Sequence, residues 1–289
     1  TAEVEKALGD GWDGSSQKLD AVVEETKAAH TSDELKQVTD LLGGYSTDYS
    51  SSSSNRIANI ANGASLVDET VVYPGDTFSF LNHVTPFTAA NGYYQATGYS
   101  GGRVVPSTGG GICQVSSTMY NAVLRAELEV VERSNHGLTV GYVPLGADAT
   151  VAEGGVDFRF RNNLDAPIYI EAYTYGGEVY VNIYGHETRS SNRSIEFYSV
   201  TDKTIEPGED VITKDDTQPD GWQEVTQSAH NGYVASFYKK IYVDGSLQDT
   251  VWINTSYYGA SPRYITVGTK KDNSDSKKDD SNNKKSEEN

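Results

Sequence analysis

GGGICQVSSTMYNAVLRA, running from Gly109 to Ala126, sets the architecture of this chain. After the three glycines, Val115, Met119, Ala122, Val123 and Ala126 recur at i, i+4, i+7, i+8 and i+11, which is one apolar face of an amphipathic helix. A flexible turn therefore enters a helix at Cys113, the only cysteine among 289 residues. A lone thiol cannot close an intramolecular disulfide, which leaves packing, metal binding or reactivity as its role. Free cysteine commonly behaves as a small buried hydrophobe. Three consecutive glycines argue against that role, because glycine is costly to order and marks positive φ or close approach to a ligand. Unpaired N–H groups and the positive dipole end at a helix start also favour a thiolate. Gln114, Ser116 and Ser117 suit the wall of a cleft better than a core. The stretch reads as a presented nucleophile. Backbone N–H groups of Gly110, Gly111, Ile112 and Cys113 are its candidate oxyanion donors.

Strand signals follow. Ile168, Ile170 and Ala172 alternate with Tyr169, Glu171 and Tyr173, and Val179, Val181 and Ile183 alternate with Tyr180, Asn182 and Tyr184. Gly176-Gly177 between them suits a tight hairpin. The expected fold is α+β, with the Cys113 helix packed against an antiparallel sheet and an extended all-β module after it. In that module Asp244-Gly245 reads as a hairpin turn between Phe237–Val243 and Leu247–Ile253.

Four segments are expected. Residues 1–41 form a charged helical arm, with Ala21, Val22 and the stretch 33–42 at helical spacing, and they are read as the remnant of an upstream wall-binding domain. Residues 42–198 form the cysteine domain, with Ser50–Ser54 as an internal loop. Residues 199–270 form the all-β module. From 271 to 289 the chain is polar and is expected to be disordered.

Lys and Arg total 23 against 41 Asp and Glu, a net charge of −18. Such a surface repels phosphate backbones and argues against nucleic acid as a partner. No run of about 18 apolar residues is present, so no membrane span is expected in this chain. It opens at Thr1 without Met, and an export and anchoring segment is expected upstream.

The stretch from Leu42 to about Tyr198 resembles the VanW-type domain of bacterial cell-envelope proteins. The likeness is carried by LGGYST (42–47), NRIANI (55–60), VYPGDTFSF (72–80), GGGICQVSSTMYNA (109–122), ERSNH (132–136), GADATV (146–151) and DFRFRNN (157–163). In LNHVTPF, His83 and Thr85 depart from the family pattern and take no role from it. Segments at Lys203–Ile205, Asp215–Gly221 and Val267–Lys270 resemble the G-five module of surface proteins. That likeness implies attachment to wall glycan or a spacer role.

The VanW resemblance implies an L,D-transpeptidase of peptidoglycan on the outer side of the bacterial membrane, with Cys113 as nucleophile. The implied partners are a tetrapeptide donor stem and a diaminopimelate acceptor. Of the five histidines, His136 lies inside a matching segment and is the expected base, whereas His30, His186 and His230 suit exposed positions. Asp148 is preferred as the group that orients it, with Asp157 or a backbone carbonyl as alternatives. Arg103, Arg133 and Tyr142, with Ser116, are candidates for gripping the stem carboxylate. No cofactor and no metal is implied, since one cysteine with scattered histidines gives no zinc pattern. Two S-x-x-K matches, at Ser15 and Ser274, lack the partner motifs of a serine transpeptidase. The rival readings are a non-catalytic peptidoglycan-binding protein and an L,D-carboxypeptidase or cysteine wall hydrolase.

Overall fold

LGGYST is a strand, and its glycines explain how the cysteine helix reaches it. The computed structural model describes residues 2–7, 9–10, 12–16, 18, 30–100 and 103–271. After α1 (Ala2–Ala7) and α2 (Ser32–Leu35), β1 (Asp40–Asp48) opens the first domain. There follow α3 (Ser54–Val67), β2 (Thr70–Val72), β3 (Thr77–Ser79), α4 (Phe80–Val84), β4 (Gln95–Ser100) and β5 (Arg103–Thr108). Then come α5 (Ile112–Arg125), β6 (Glu129–Glu132), β7 (Arg159–Arg161), β8 (Ile168–Tyr175) and β9 (Glu178–Gly185).

Sheet order is β1-β9-β8-β2, all antiparallel, with β3-β7-β6 as a second small sheet and β4-β5 as a hairpin. The expected hairpin is present, with Tyr175 facing Glu178 across Gly176-Gly177. Val115, Met119, Ala122 and Val123 of α5 are wholly buried, and the helix packs on β1, β9 and α3. Close approach is possible because a Cβ on Gly43 would lie 2.3 Å from the Ala126 nitrogen and 2.6 Å from the Ala122 oxygen.

The helical expectation for 33–42 fails. α2 stops at Leu35 and the chain is already in β1 at Asp40, because Leu41 to Asp48 pair along β9 and Gly43-Gly44 disfavours a helix. Ala21, Val22 and residues 272–289 lie outside the described residues. The serine run is an internal loop whose Ser53 caps α3 by accepting from the Arg56 N–H.

The all-β module comprises β10 (Arg193–Ile205), β11 (Val211–Pro219), β12 (Gln223–Gln227), β13 (Gly232–Val243), β14 (Ser246–Tyr258) and β15 (Tyr264–Lys270). One sheet is β10-β13-β14 and the other β11-β15-β12, in which β11 and β15 run parallel. Asp244 and Gly245 both adopt positive φ, 52° and 73°, as a two-residue hairpin turn demands.

The two modules share one core. Phe237 of β13 belongs to the same buried cluster as Val143, Ala147 and Phe158. Nearby, Glu127 is held by Arg193, Lys239 and Arg189. Burial pushes its carboxyl up, but the Arg193 and Lys239 bonds and charges outweigh burial and bring it down to about 2.

Candidate active site

The glycine turn is shaped by α3 and the β4-β5 hairpin. Gly109 and Gly111 have φ of 80° and 113°, values that only glycine adopts without strain. At Gly110 a Cβ would sit 2.6 Å from the Thr97 carbonyl oxygen. Asn59 of α3 fastens the turn by donating to the carbonyls of Gly110 and Tyr94, both at 2.9 Å. Cys113 thus enters α5 in its first turn.

Of the polar residues after Cys113, Gln114 borders the cleft, and Ser116 and Ser117 do not. Gln114, Ser116 and Ser117 are buried, and with Asn121 they form a hydrogen-bonding stripe on α5. Ser116 donates to the Ala149 carbonyl at 2.6 Å, and Asn121 to the Ala147 carbonyl at 2.6 Å. The Cys113 thiol itself reaches the Val151 carbonyl at 3.4 Å and lies 3.6 Å from the Thr150 hydroxyl. Alternate residues 147, 149 and 151 therefore bind the helix, which turns Asp148 to the other side.

On that other side lies the segment carrying His136. Ser134 and Thr150 form an antiparallel bridge, and the same register sets His136 opposite Asp148. One carboxylate oxygen of Asp148, Oδ2, accepts from the His136 backbone N–H and from Nδ1, each at 2.7 Å. The other, Oδ1, accepts from Arg133 Nη2 at 3.0 Å and from the Tyr258 hydroxyl at 2.5 Å. With Nδ1 donating to Asp148, His136 keeps Nε2, and the ring and the Cys113 thiol shift each other's protonation.

These contacts set the protonation states. Burial pulls the imidazole down, but the Asp148 bond, and then Cys113, outweigh it and raise His136 to about 9. Burial raises the Cys113 thiol, but the bond and charge of His136 outweigh it and leave it below its ordinary value. Asp148, only 1% exposed, is likewise pushed up by burial and brought below its ordinary value by His136 and Arg133. The two groups are coupled: the charged ring favours the thiolate, and the thiolate favours the charged ring.

Cys113 and His136 open onto a cleft of about 850 Å³ lined also by Arg56, Phe87, Gly109–Gly111, Tyr142 and Glu153. Tyr142 stands edge-to-face with His136, centroids 6.5 Å apart. Burial and then the nearby Cys113 charge hold its hydroxyl well above the ordinary phenol value, so it remains an O–H donor.

Other sequence-based assignments change. Arg133 is not a wall of the cleft; it is 8% exposed on its side chain and donates to Asp148, Gly146 and Ser256 from behind the carboxylate. Ser116 is buried against Ala149, and the side chain of Arg103 lies outside the described residues. Asp157 serves elsewhere, accepting from Ser79 and the Leu81 N–H at the start of α4. Of the proposed oxyanion donors, the Gly110 and Ile112 N–H groups are bonded within the turn, to Ser107 and Gly109. Among the described residues, those of Gly111 and Cys113 donate to no protein acceptor. His83 stacks on Phe78 and bonds the Ser79 carbonyl, a structural role.

Sequence reasoning missed Arg56, which lines the cleft from α3 and donates to Gln114 at 2.7 Å. Its place in NRIANI, one helix turn before Ile60, could have signalled it. It also missed Tyr258.

Comparison with known proteins places two domain families along the chain. The model of the VanW-like protein family matches residues 55–184, and that of the G5 domain matches residues 198–270. The chain carries a VanW-like domain followed by a G5 domain. The VanW-like match spans Arg56, Cys113, His136 and Asp148, and the G5 match contains Tyr258.

The uncharacterized protein YoaR of Bacillus subtilis (strain 168) is 45% identical over 153 residues, covering 53% of this chain and 50% of that protein. The vancomycin B-type resistance protein VanW of Enterococcus faecalis is 29% identical over 121 residues, covering 40% of this chain and 44% of that protein. The chain thus spans about half the length of the curated relatives it matches. The solved G5 domain of an IgA1 protease is 20% identical, covers 27% of this chain and 93% of its own, and has a TM-score of 0.19.

Proposed function

We propose that this chain is a cysteine acyltransferase of peptidoglycan, an L,D-transpeptidase that forms 3→3 cross-links. The observation that carries the reading is the Cys113–His136–Asp148 relay, buried on its Asp148 side and open to the cleft at the thiol. The VanW-like and G5 domains support a cell-wall, extracellular setting, with wall glycan as a further partner.

In this reading the Cys113 thiolate attacks the carbonyl carbon of the amide after the third residue of a tetrapeptide donor stem. The Gly111 and Cys113 N–H groups would receive the developing oxyanion. The C–N bond then breaks, His136 gives its proton to the departing D-Ala amine, and a thioester remains. A side-chain amine of an acceptor stem, diaminopimelate, attacks that thioester; His136 takes the amine proton and the thiolate leaves. Arg56 suits the donor carboxylate, and Asp48 and Glu153 suit the acceptor ammonium before it is deprotonated. Water in place of the amine would give an L,D-carboxypeptidase with the same residues.

The test is mass spectrometry of disaccharide-tetrapeptide muropeptides incubated with the protein and with Cys113→Ala. Dimers with 3→3 links that vanish in the variant are the expected result. Tripeptides alone, again lost in the variant, would replace transpeptidation by hydrolysis. Binding without turnover would make the chain a wall-binding protein.

A further inference from the structure

Strand β14 of the G5 domain ends inside the VanW-like site. Its residue 257 accepts from Asn135 Nδ2 through the backbone carbonyl at 2.8 Å, and the N–H of Gly259 donates to the Gly137 carbonyl at 2.7 Å. These two bonds flank His136 in sequence. Between them Tyr258, 2% exposed, turns inward. Its hydroxyl donates to Asp148 Oδ1 at 2.5 Å and accepts from the Gly146 N–H at 2.7 Å. Ser256, two residues earlier on the same face of the strand, accepts from Arg133 Nη1 at 2.9 Å. Asn254, two earlier again, donates to the Gly146 carbonyl at 2.9 Å and to the Tyr120 hydroxyl at 3.0 Å. Three alternate side chains of one strand thus meet the turn that presents Asp148.

From this geometry we infer that the G5 domain is a working part of the cysteine site, with Tyr258 as a positioning residue that fixes Asp148 against His136. This inference rests on the reading of Cys113 as a nucleophile. The Asp148 carboxylate accepts two bonds on each oxygen, and among the described residues only Arg133 and Tyr258 hold Oδ1. A carboxylate held by fewer donors is free to turn about its Cα–Cβ and Cβ–Cγ bonds. Tyr258 also fixes Gly146, two residues before Asp148, so loss of its hydroxyl loosens both the carboxylate and the chain beneath it. Arg133 cannot compensate, because three of its nitrogens are already engaged. Burial, followed by the Asp148 charge, raises the Tyr258 phenol, which keeps it an O–H donor.

The test uses the full chain with Tyr258→Phe, which removes one oxygen and keeps the ring. The readout is the rate of Cys113 alkylation by iodoacetamide against pH, beside thermal unfolding and muropeptide turnover. The expected result is a folded variant whose alkylation at pH 6 falls at least threefold while its rate above pH 10 matches the parent. A profile that overlays the parent, with or without a lower melting temperature, would overturn the inference and leave Tyr258 a packing residue. If Tyr258→Phe does not fold, Ser256→Ala takes its place. It frees Arg133 Nη1 and is expected to lower the pH 6 rate by a smaller factor; no change would again overturn the inference. A parent protein without fast alkylation below pH 7 would remove the nucleophile reading and this inference with it. Fast alkylation without muropeptide turnover removes only the transpeptidase assignment, and the Tyr258 comparison still decides.

Discussion

Asp148→Asn removes the charge that makes His136 an imidazolium while keeping the side chain's shape. The difference between the ordinary imidazole value of 6.5 and about 9 corresponds to roughly 3 kcal/mol of preference for the charged ring. Of the contributions that raise it, the Asp148 bond is the largest and Cys113 follows. If Asp148 supplies half or more, its loss lowers the imidazole by about one pKa unit or more. The imidazolium stabilises the thiolate in turn, so the thiol must rise as the ring loses its proton. Iodoacetamide alkylation followed from pH 4 to 11 reads the thiolate directly. The parent should show a rise below the ordinary thiol value, then a plateau, with a second inflection near 9 where His136 discharges. In Asp148→Asn the first rise should move up, and the rate at pH 6 should fall on the order of tenfold. The variant also strands Arg133, and breaking a buried pair costs about 3–5 kcal/mol, so a lower melting temperature is expected beside the kinetic change. A parent that titrates once near 8.5, or a variant whose profile overlays the parent, would refute the ion pair.

Three further outcomes are expected. Arg56→Ala should raise KM for a tetrapeptide stem about tenfold or more and leave the pH profile of alkylation within a factor of two, read by steady-state kinetics on muropeptides. Gly110→Ala forces a Cβ against the Thr97 carbonyl and should cost roughly 1–3 kcal/mol or displace the β4-β5 hairpin, read by urea unfolding. Glu127, depressed in the folded state, stabilises the protein above its unfolded value of 4.5, and that contribution is lost as the pH falls toward 2. Glu127→Gln should therefore flatten the melting temperature over that window, relative to the parent.

Local periodicity carried much of the architecture. The α5 face, the Gly176-Gly177 hairpin and the Asp244-Gly245 turn are patterns within a dozen residues, and each appears where its spacing puts it. The segment 33–42 misled because Leu41 and Leu42 fit a helical spacing while the partner of Leu41, Tyr184, lies on β9, about 140 residues away in sequence. At the site, Cys113, His136 and Asp148 were legible from the glycine turn and from resemblance. Ser116 and Ser117 were misplaced because polarity alone does not distinguish a cleft wall from a buried hydrogen-bonded seam. Arg133 looked free because the backbone carbonyls that engage it leave no mark in sequence. Tyr258 was invisible: it lies 110 positions from Asp148, and a period of two says which face of a strand a residue occupies, never what meets it.

The polar stripe on α5 inverts the usual map of mutational tolerance. Apolar contacts between a helix and a sheet survive small slides and changes of volume, since they have no direction. The bonds from Ser116, Ser117 and Asn121 to the carbonyls of residues 147 and 149 allow one rotational setting of the helix. A turn of one residue about its axis would swing the thiol by about 100°. Saturation mutagenesis of α5 should thus find Val115, Met119 and Val123 open to other hydrophobes of similar size. The small hydrophilic positions, which conventional wisdom would treat as replaceable, should be the intolerant ones.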